Sequence, residues 1–197
     1  GVFYAQLFLQ DNLKLGVISE GLNGGTIMSN TYISCGETTR VTTKSGRDIL
    51  VSTSCVDRIR PYTWCIEGTG YAMTRTGGRA LKMHRLLMEP RKGEFVDHID
   101  GNTLNNCLDN LRLCRKQQNE FNSKIRADNT SGYKGVCRFG DTGRWRAFIN
   151  LNGKQYGLGL YSTKDEAADM YNRAAPIFFG EFARLNQINT DLSEVRT

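Results

Sequence analysis

Asp97 and His98 stand side by side in the run Phe95-Val96-Asp97-His98-Ile99-Asp100-Gly101-Asn102, and two further amide side chains, Asn110 and Asn119, follow shortly after. An imidazole beside a carboxylate is a credible general base near neutral pH. Asp97 offers a hard anionic oxygen, and the amide carbonyl of Asn119 offers a second. Oxygen donors of this kind suit magnesium or manganese, with water completing the shell. One such ion stabilises a scissile phosphate and its leaving oxygen while the base deprotonates water, so this residue set has the equipment for phosphodiester hydrolysis. Taken singly, an Asp-His pair beside a turn, or an Asn in a loop, more often just satisfies backbone groups. It is the four together, in this order, that carry the reading.

These side chains need elements to hold them. Phe95, Val96 and Ile99 read as a strand closing on the turn formers Asp100-Gly101-Asn102, which places the imidazole at a strand end. Asn110-Leu111-Arg112-Leu113-Cys114 alternates, and a regular pleat would put Leu111 and Leu113 on one face and Asn110, Arg112 and Cys114 on the other. From about Arg115 the residues are helix formers without Gly or Pro. The unit is strand, loop, strand, helix. If the strands pair, Asn110 can lie across from His98 and fix its tautomer. Adjacent strand residues point to opposite faces, so Asp97 and His98 can share a site only if a bulge or the strand's end breaks the pleat.

At these residues the chain resembles the HNH endonuclease family, whose ββα-metal fold has the same element order. The resemblance implies Asp97 as a metal ligand, His98 as the general base, Asn110 as the residue orienting it, and Asn119 as the second protein ligand. Asn stands at the last position, where many members carry His, which is closest to the phage and intron-homing branch. Met83-His84-Arg85-Leu86-Leu87-Met88 is also similar to that branch, and His84 and Arg85 are carried over as phosphate contacts. The expected products have a 5′-phosphate and a 3′-hydroxyl. Upstream, short strands over 47–51, 63–66, 71–74 and 80–84, punctuated by Gly68, Gly70, Gly77 and Gly78, predict a small antiparallel sheet leading into the catalytic strands.

A second pattern begins after the polar stretch Ala127-Asp128-Asn129-Thr130-Ser131. Strands are predicted over 135–139, 144–149 and 155–160, with turns at Asp141-Thr142-Gly143 and Asn152-Gly153. In the middle strand Trp145, Ala147 and Ile149 share one face; Arg144, Arg146 and Phe148 share the other. Ser162 to Glu166 reads as a helix N-terminus, and Ala167, Ala168, Tyr171 and Ala174 or Ala175 recur at helical spacing. Phe178, Phe179, Phe182 and Leu185 are expected to finish the core. The pattern Gly-Val, Trp-x-Ala-x-Ile, Leu-Gly-x-Tyr, Glu-Ala-Ala-x-x-Tyr and Phe-Gly-Glu-Phe-Ala-Arg-Leu-Asn resembles the APETALA-type, ethylene-response-factor-like DNA-binding domain. That likeness implies a sheet entering the major groove, with Arg138, Arg144, Trp145, Arg146 and Lys154 as DNA contacts. Cys137 stands where plant members usually have arginine. Trp145 has core packing as an equal alternative.

Composition agrees. Among 197 residues, 26 Lys and Arg against 20 Asp and Glu give a net charge of +6, which is compatible with a polyanionic partner without establishing one. No apolar run is long enough to cross a bilayer and no secretory leader opens the chain, so the expectation is a cytoplasmic protein, nucleoid-associated or in a phage-infected cell, with no membrane partner. The six cysteines, at 35, 55, 65, 107, 114 and 137, form no Cys-x-x-Cys pair, which disfavours a structural zinc.

The expected class is α+β: a small antiparallel sheet leading into a ββα-metal core, then a three-stranded antiparallel sheet packed on one helix. The expected division is an N-terminal extension over 1–40, a nuclease domain over 41–126, a linker over 127–131, an APETALA-type domain over 132–186 and a tail over 187–197. Residues 1–40, with Leu7-Phe8-Leu9, a Gly-rich middle and Thr31-Tyr32-Ile33, could be a hairpin, a dimer contact or a DNA-gripping arm. The function read from the sequence is a sequence-preferring DNA endonuclease dependent on Mg2+ or Mn2+, of homing or restriction type, acting on double-stranded DNA. A double-strand cut would need a homodimer or two sequential events. The alternative is a non-catalytic DNA-binding regulator on an inactive nuclease core.

Overall fold

The computed structural model describes residues 30–188. The expectations for Leu7-Phe8-Leu9 and the Gly-rich stretch fall outside them. The chain divides into two compact units, one of residues 30–92 with 102–113 and one of residues 93–101 with 114–188.

The first unit opens with an antiparallel meander, β1 (Thr31–Cys35), β2 (Thr38–Thr42) and β3 (Asp48–Ser52). Val41, Ile49 and Val51 alternate inward and are fully buried, so the hydrophobic pattern sets the register. After α1 (Val56–Ile59) comes a second antiparallel sheet of β4 (Cys65–Ile66), β5 (Ala72–Thr76) and β6 (Arg79–Lys82). Its β5–β6 hairpin turns on Gly77 and Gly78, both at positive φ, as the two-residue turn requires.

The sequence reading runs a strand through His84, but the structure ends β6 at Lys82 and forms α2 (Met83–Met88). Met83 to Met88 contains no β-branched residue, and the helix stops at Glu89, in the left-handed region one residue before Pro90. The Arg58 guanidinium of α1 ties the two helices together by donating to the Leu86 and Leu87 carbonyls and to the Glu89 carboxylate.

The second unit takes β7 (Phe95–His98). The chain then returns to the first unit through β8 (Asn105–Asn106), which pairs parallel with β3, and a 3-10 turn over Leu108–Asn110. From there β9 (Leu111–Cys114) leads into α3 (Lys116–Phe121). Here the pleat departs from the expected alternation: Leu111 and Cys114 are buried while Leu113 is 43% exposed. The strand is four residues long and Cys114 is its last, so the turn into α3 sets its direction. The start of α3 is held by the Arg115 N–H donating to Gln118 Oε1 at 2.8 Å.

The rest of the second unit is the antiparallel sheet β10 (Val136–Arg138), β11 (Trp145–Leu151) and β12 (Lys154–Tyr161), backed by α4 (Lys164–Phe179). Asn152 and Gly153, at φ 53° and 73°, make the two-residue turn between β11 and β12. Thr163 and Glu166 form a reciprocal capping box at the start of α4. Ala167, Ala168, Ala174 and Ala175 let the helix approach the sheet closely, and Tyr171 fills the space between them. Of the four residues expected to finish this core, Phe179 and Phe182 are buried, whereas Phe178 and Leu185 are exposed because they lie on the outer side of the chain's last turns. All six cysteines are free thiols. Among the described residues no helix is long and apolar enough to cross a membrane.

Candidate functional site

Val96, Asp97 and His98 are all buried, three consecutive residues that a regular half-exposed strand would not bury together. β7 ends at His98, and the Gly101 N–H donates back to the His98 carbonyl at 2.8 Å. Gly101 takes φ 71°, which lets the chain reverse here. Asp97 is 5% exposed and His98 4% exposed, so both are withdrawn from solvent where the strand runs into this turn.

What meets Asp97 is the end of α3. Asn122, the residue that closes the helix, donates from Nδ2 to both carboxylate oxygens of Asp97 at 3.1 Å. The same nitrogen reaches the carbonyls of His98 at 2.9 Å and Ile99 at 3.3 Å. Sequence reasoning missed Asn122. Its signal was present, since Asn119 and Asn122 are three apart and such residues neighbour each other on a helix.

Asn119 lies on α3 one turn before Asn122 and is half-buried. Asn110 belongs to the other unit; it is buried, closes the 3-10 turn, and its Nδ2 donates to the Asn105 carbonyl at 2.9 Å. His84 and Arg85 lie on α2 of the first unit, His84 buried against the Tyr71 ring at 5.1 Å between centroids and Arg85 exposed.

Two cations from beyond the sequence motif complete the surroundings of α3. Lys134 Nζ donates to the Phe121 carbonyl and to the Ser123 carbonyl, the latter at 2.8 Å. Burial, and then the neighbouring Arg184, push the Lys134 ammonium down to about 8, against the pull of Asp97. Arg184 Nη1 donates to the Asn122 carbonyl at 3.4 Å and packs on the turn after His98, where a Cβ on Gly101 would meet that nitrogen at 2.3 Å.

The five sheet residues expected to meet DNA divide between two faces. Ala147 and Ile149 point into the core under α4, so alternation sends Arg146 and Phe148 to the open face. Arg146 pairs across with Cys137 on one side and Leu160 on the other. Gly157 lies near its guanidinium. Arg138 pairs with Trp145 and stands 5.3 Å over that ring, which packs against the Val136 and Ala147 cluster. Lys154 stands 5.3 Å over Tyr156. Arg144 is exposed and donates to the Leu160 carbonyl at 2.9 Å. A groove runs between the end of α3, the segment 123–130 and the open face, with Lys124, Arg126, Phe148 and Asn150 in its lining.

The family model described as HNH endonuclease matches residues 88–121. An uncharacterized HNH endonuclease of Acanthamoeba polyphaga mimivirus is 34% identical over 137 residues, covering 66% of this chain and 70% of that protein. Protein 3.8 of Escherichia phage T7 is 40% identical over 93 residues, covering 47% of this chain and 76% of its own. With the buried Asp-His pair, the strand-strand-helix order and these relatives together, the chain belongs to the HNH endonuclease family. An AP2-like ethylene-responsive transcription factor of Arabidopsis thaliana is also similar, at 42% identity over 65 residues, 33% of this chain and 13% of that protein.

Proposed function

We propose that the protein is a metal-dependent DNA endonuclease whose centre is built on Asp97, His98, Asn110 and Asn119. The observation that carries this reading is the burial of Asp97 and His98 together at the end of β7, with the C-terminal end of α3 brought onto the Asp97 carboxylate. The donor chemistry fits a hard divalent cation. Asp97 is an anionic oxygen donor and Asn119 is an amide one on the adjoining helix. Asp97 and Asn119 would hold magnesium or manganese, which when bound supplies charge stabilisation to the scissile phosphate and the leaving oxygen. His98 takes the proton from the attacking water onto its imidazole, and Asn110 orients the ring.

The segment 132–186 serves as a DNA-binding module in this reading, joined through 127–131 to the nuclease segment 41–126. Its likeness to a stretch of a plant transcription factor supports the assignment. Arg146 and Arg144 are the first contacts on the open side of the sheet, and Arg138, Trp145 and Lys154 extend the surface at its ends. His84 and Arg85 remain candidates for phosphate contacts. The viral and phage relatives favour homing or another mobile-element role over restriction.

The test is cleavage of supercoiled plasmid by the full chain and by His98→Ala, each with magnesium, with manganese and with chelator. Metal-dependent nicking or linearisation by the unaltered chain alone is expected. Retained DNA binding without cutting under any metal would instead identify a DNA-binding regulator on an inactive core.

A further inference from the structure

Asn122 has two amide hydrogens and four acceptors within reach: the two Asp97 oxygens and the carbonyls of His98 and Ile99. One hydrogen is shared by the carboxylate and the other by the backbone, so a single side chain fixes both the direction of the Asp97 carboxylate and the path of the strand end bearing His98. Asn122 is itself 7% exposed, which makes this a buried bridge with little freedom to exchange with water.

The bridge is only as fixed as the end of α3, and that helix has no basic residue of its own in its last turn. The cations come from the C-terminal segment: Lys134 on the Phe121 and Ser123 carbonyls, Arg184 on the Asn122 carbonyl. Positive charge at these carbonyls complements the negative end of the helix. Asn186 anchors the backbone at Lys134. It accepts from the Lys134 N–H at 2.7 Å and donates to the Lys134 carbonyl at 3.0 Å, while its backbone exchanges hydrogen bonds with the Asn172 amide of α4. The Phe121 ring, stacked on Phe179 at 4.1 Å, joins the same body.

We infer that Asn122 is a positioning residue of the Asp97–His98 centre, and that Lys134 and Arg184 of the C-terminal sheet-and-helix segment hold it there, so that this segment sets the geometry of the cut as well as meeting DNA. The inference rests on the nuclease reading above. Outer-shell partners of metal ligands typically carry 10- to 100-fold in affinity or rate.

The experiment uses the full chain in four forms, unaltered and with Asn122→Asp, Lys134→Met or Arg184→Ala, with Lys134→Arg and Arg184→Lys as conservative rescues. Three quantities are measured: single-turnover cleavage at saturating DNA, DNA affinity in chelator, and Mn2+ affinity by calorimetry. Asn122→Asp replaces the donors with a second carboxylate. It is expected to slow cleavage roughly 100-fold while Mn2+ affinity holds or rises, because the new carboxylate is itself an anionic oxygen donor, with DNA affinity held within about twofold. Lys134→Met and Arg184→Ala are expected to slow cleavage about 10-fold, and the rescues to restore most of it. Losses of DNA affinity with an unchanged single-turnover rate would overturn the inference, as would variants that cut and bind Mn2+ like the unaltered chain. An unaltered chain that neither cuts nor binds Mn2+ would sink the nuclease reading itself, a result distinct from either of those.

Discussion

At the scale of single residues, burial turns ordinary side chains into specific ones. Lys134 is the clearest titrating case. With its ammonium pushed down to about 8 mainly by burial, the folded chain gives up this proton before the unfolded chain does, whose lysine sits near 10.5. Below pH 8 both states hold the proton and the cost of burying the charge is present in full; as pH rises from 8 toward 10.5 that cost is relieved, so this residue's contribution to stability rises with pH. Thermal melts of the unaltered chain and of Lys134→Met between pH 7 and 10 should therefore diverge in favour of the unaltered chain above about pH 8. A difference that shrinks over that window would show the ammonium better held in the folded state. Asn119→Ala belongs to the same scale. It should raise the magnesium needed for half-maximal cleavage and leave DNA affinity unchanged, and plasmid cleavage titrated with metal beside a binding assay in chelator separates the two.

At the scale of elements, the sheet and α4 stand on close approach. A Cβ on Gly135, which adopts φ 71°, would lie 2.1 Å from the Tyr171 ring and 2.6 Å from the Phe148 carbonyl. Gly135→Ala should cost roughly 3 kcal/mol or more, measured by urea unfolding, because both the backbone and the packing resist it. Thr163→Ala, which removes the capping oxygen of α4, should cost about 1 kcal/mol. The Tyr171 hydroxyl is buried and finds no hydrogen-bond partner among the described residues. Tyr171→Phe should accordingly be neutral or stabilising by up to about 1 kcal/mol, and a clear loss of stability would mean that the hydroxyl is satisfied. These elements were legible in the sequence because each signal is local: a capping box, a two-residue turn, alanines at helical spacing. The strand predicted through His84 failed for the same reason, since a run of residues without β-branching settles into whichever element its neighbours favour.

At the scale of the whole molecule, charge distribution outweighs net charge. A value of +6 is modest, but Arg146 is on the open face of the sheet beside a groove that includes Lys124 and Arg126. Arg146→Ala should weaken DNA binding and lower the slope of log affinity against log salt by about 1 if the side chain meets a phosphate. Unchanged affinity and slope would remove that face from the DNA surface. Arg138 and Lys154, which stand over aromatic rings at the edges, should have smaller effects in the same assay.

The sequence by itself determined the residue types and their order along the chain: Asp97 with His98, the two asparagines that follow, the turn at Gly101, and the strand and helix that carry them. These lie close together in the chain, so residue type and periodicity suffice to read them. Only the tertiary structure decided that Asp97 and His98 are buried together, and that the side chain on the carboxylate is Asn122. It also decided that Lys134 and Arg184 close the end of α3. Arg184 is 62 positions from Asn122, and no pattern of local spacing encodes a hydrogen bond across that distance. Such contacts are set by how the sheet, α4 and α3 pack, a property of volumes and directions that appears only when the chain is folded.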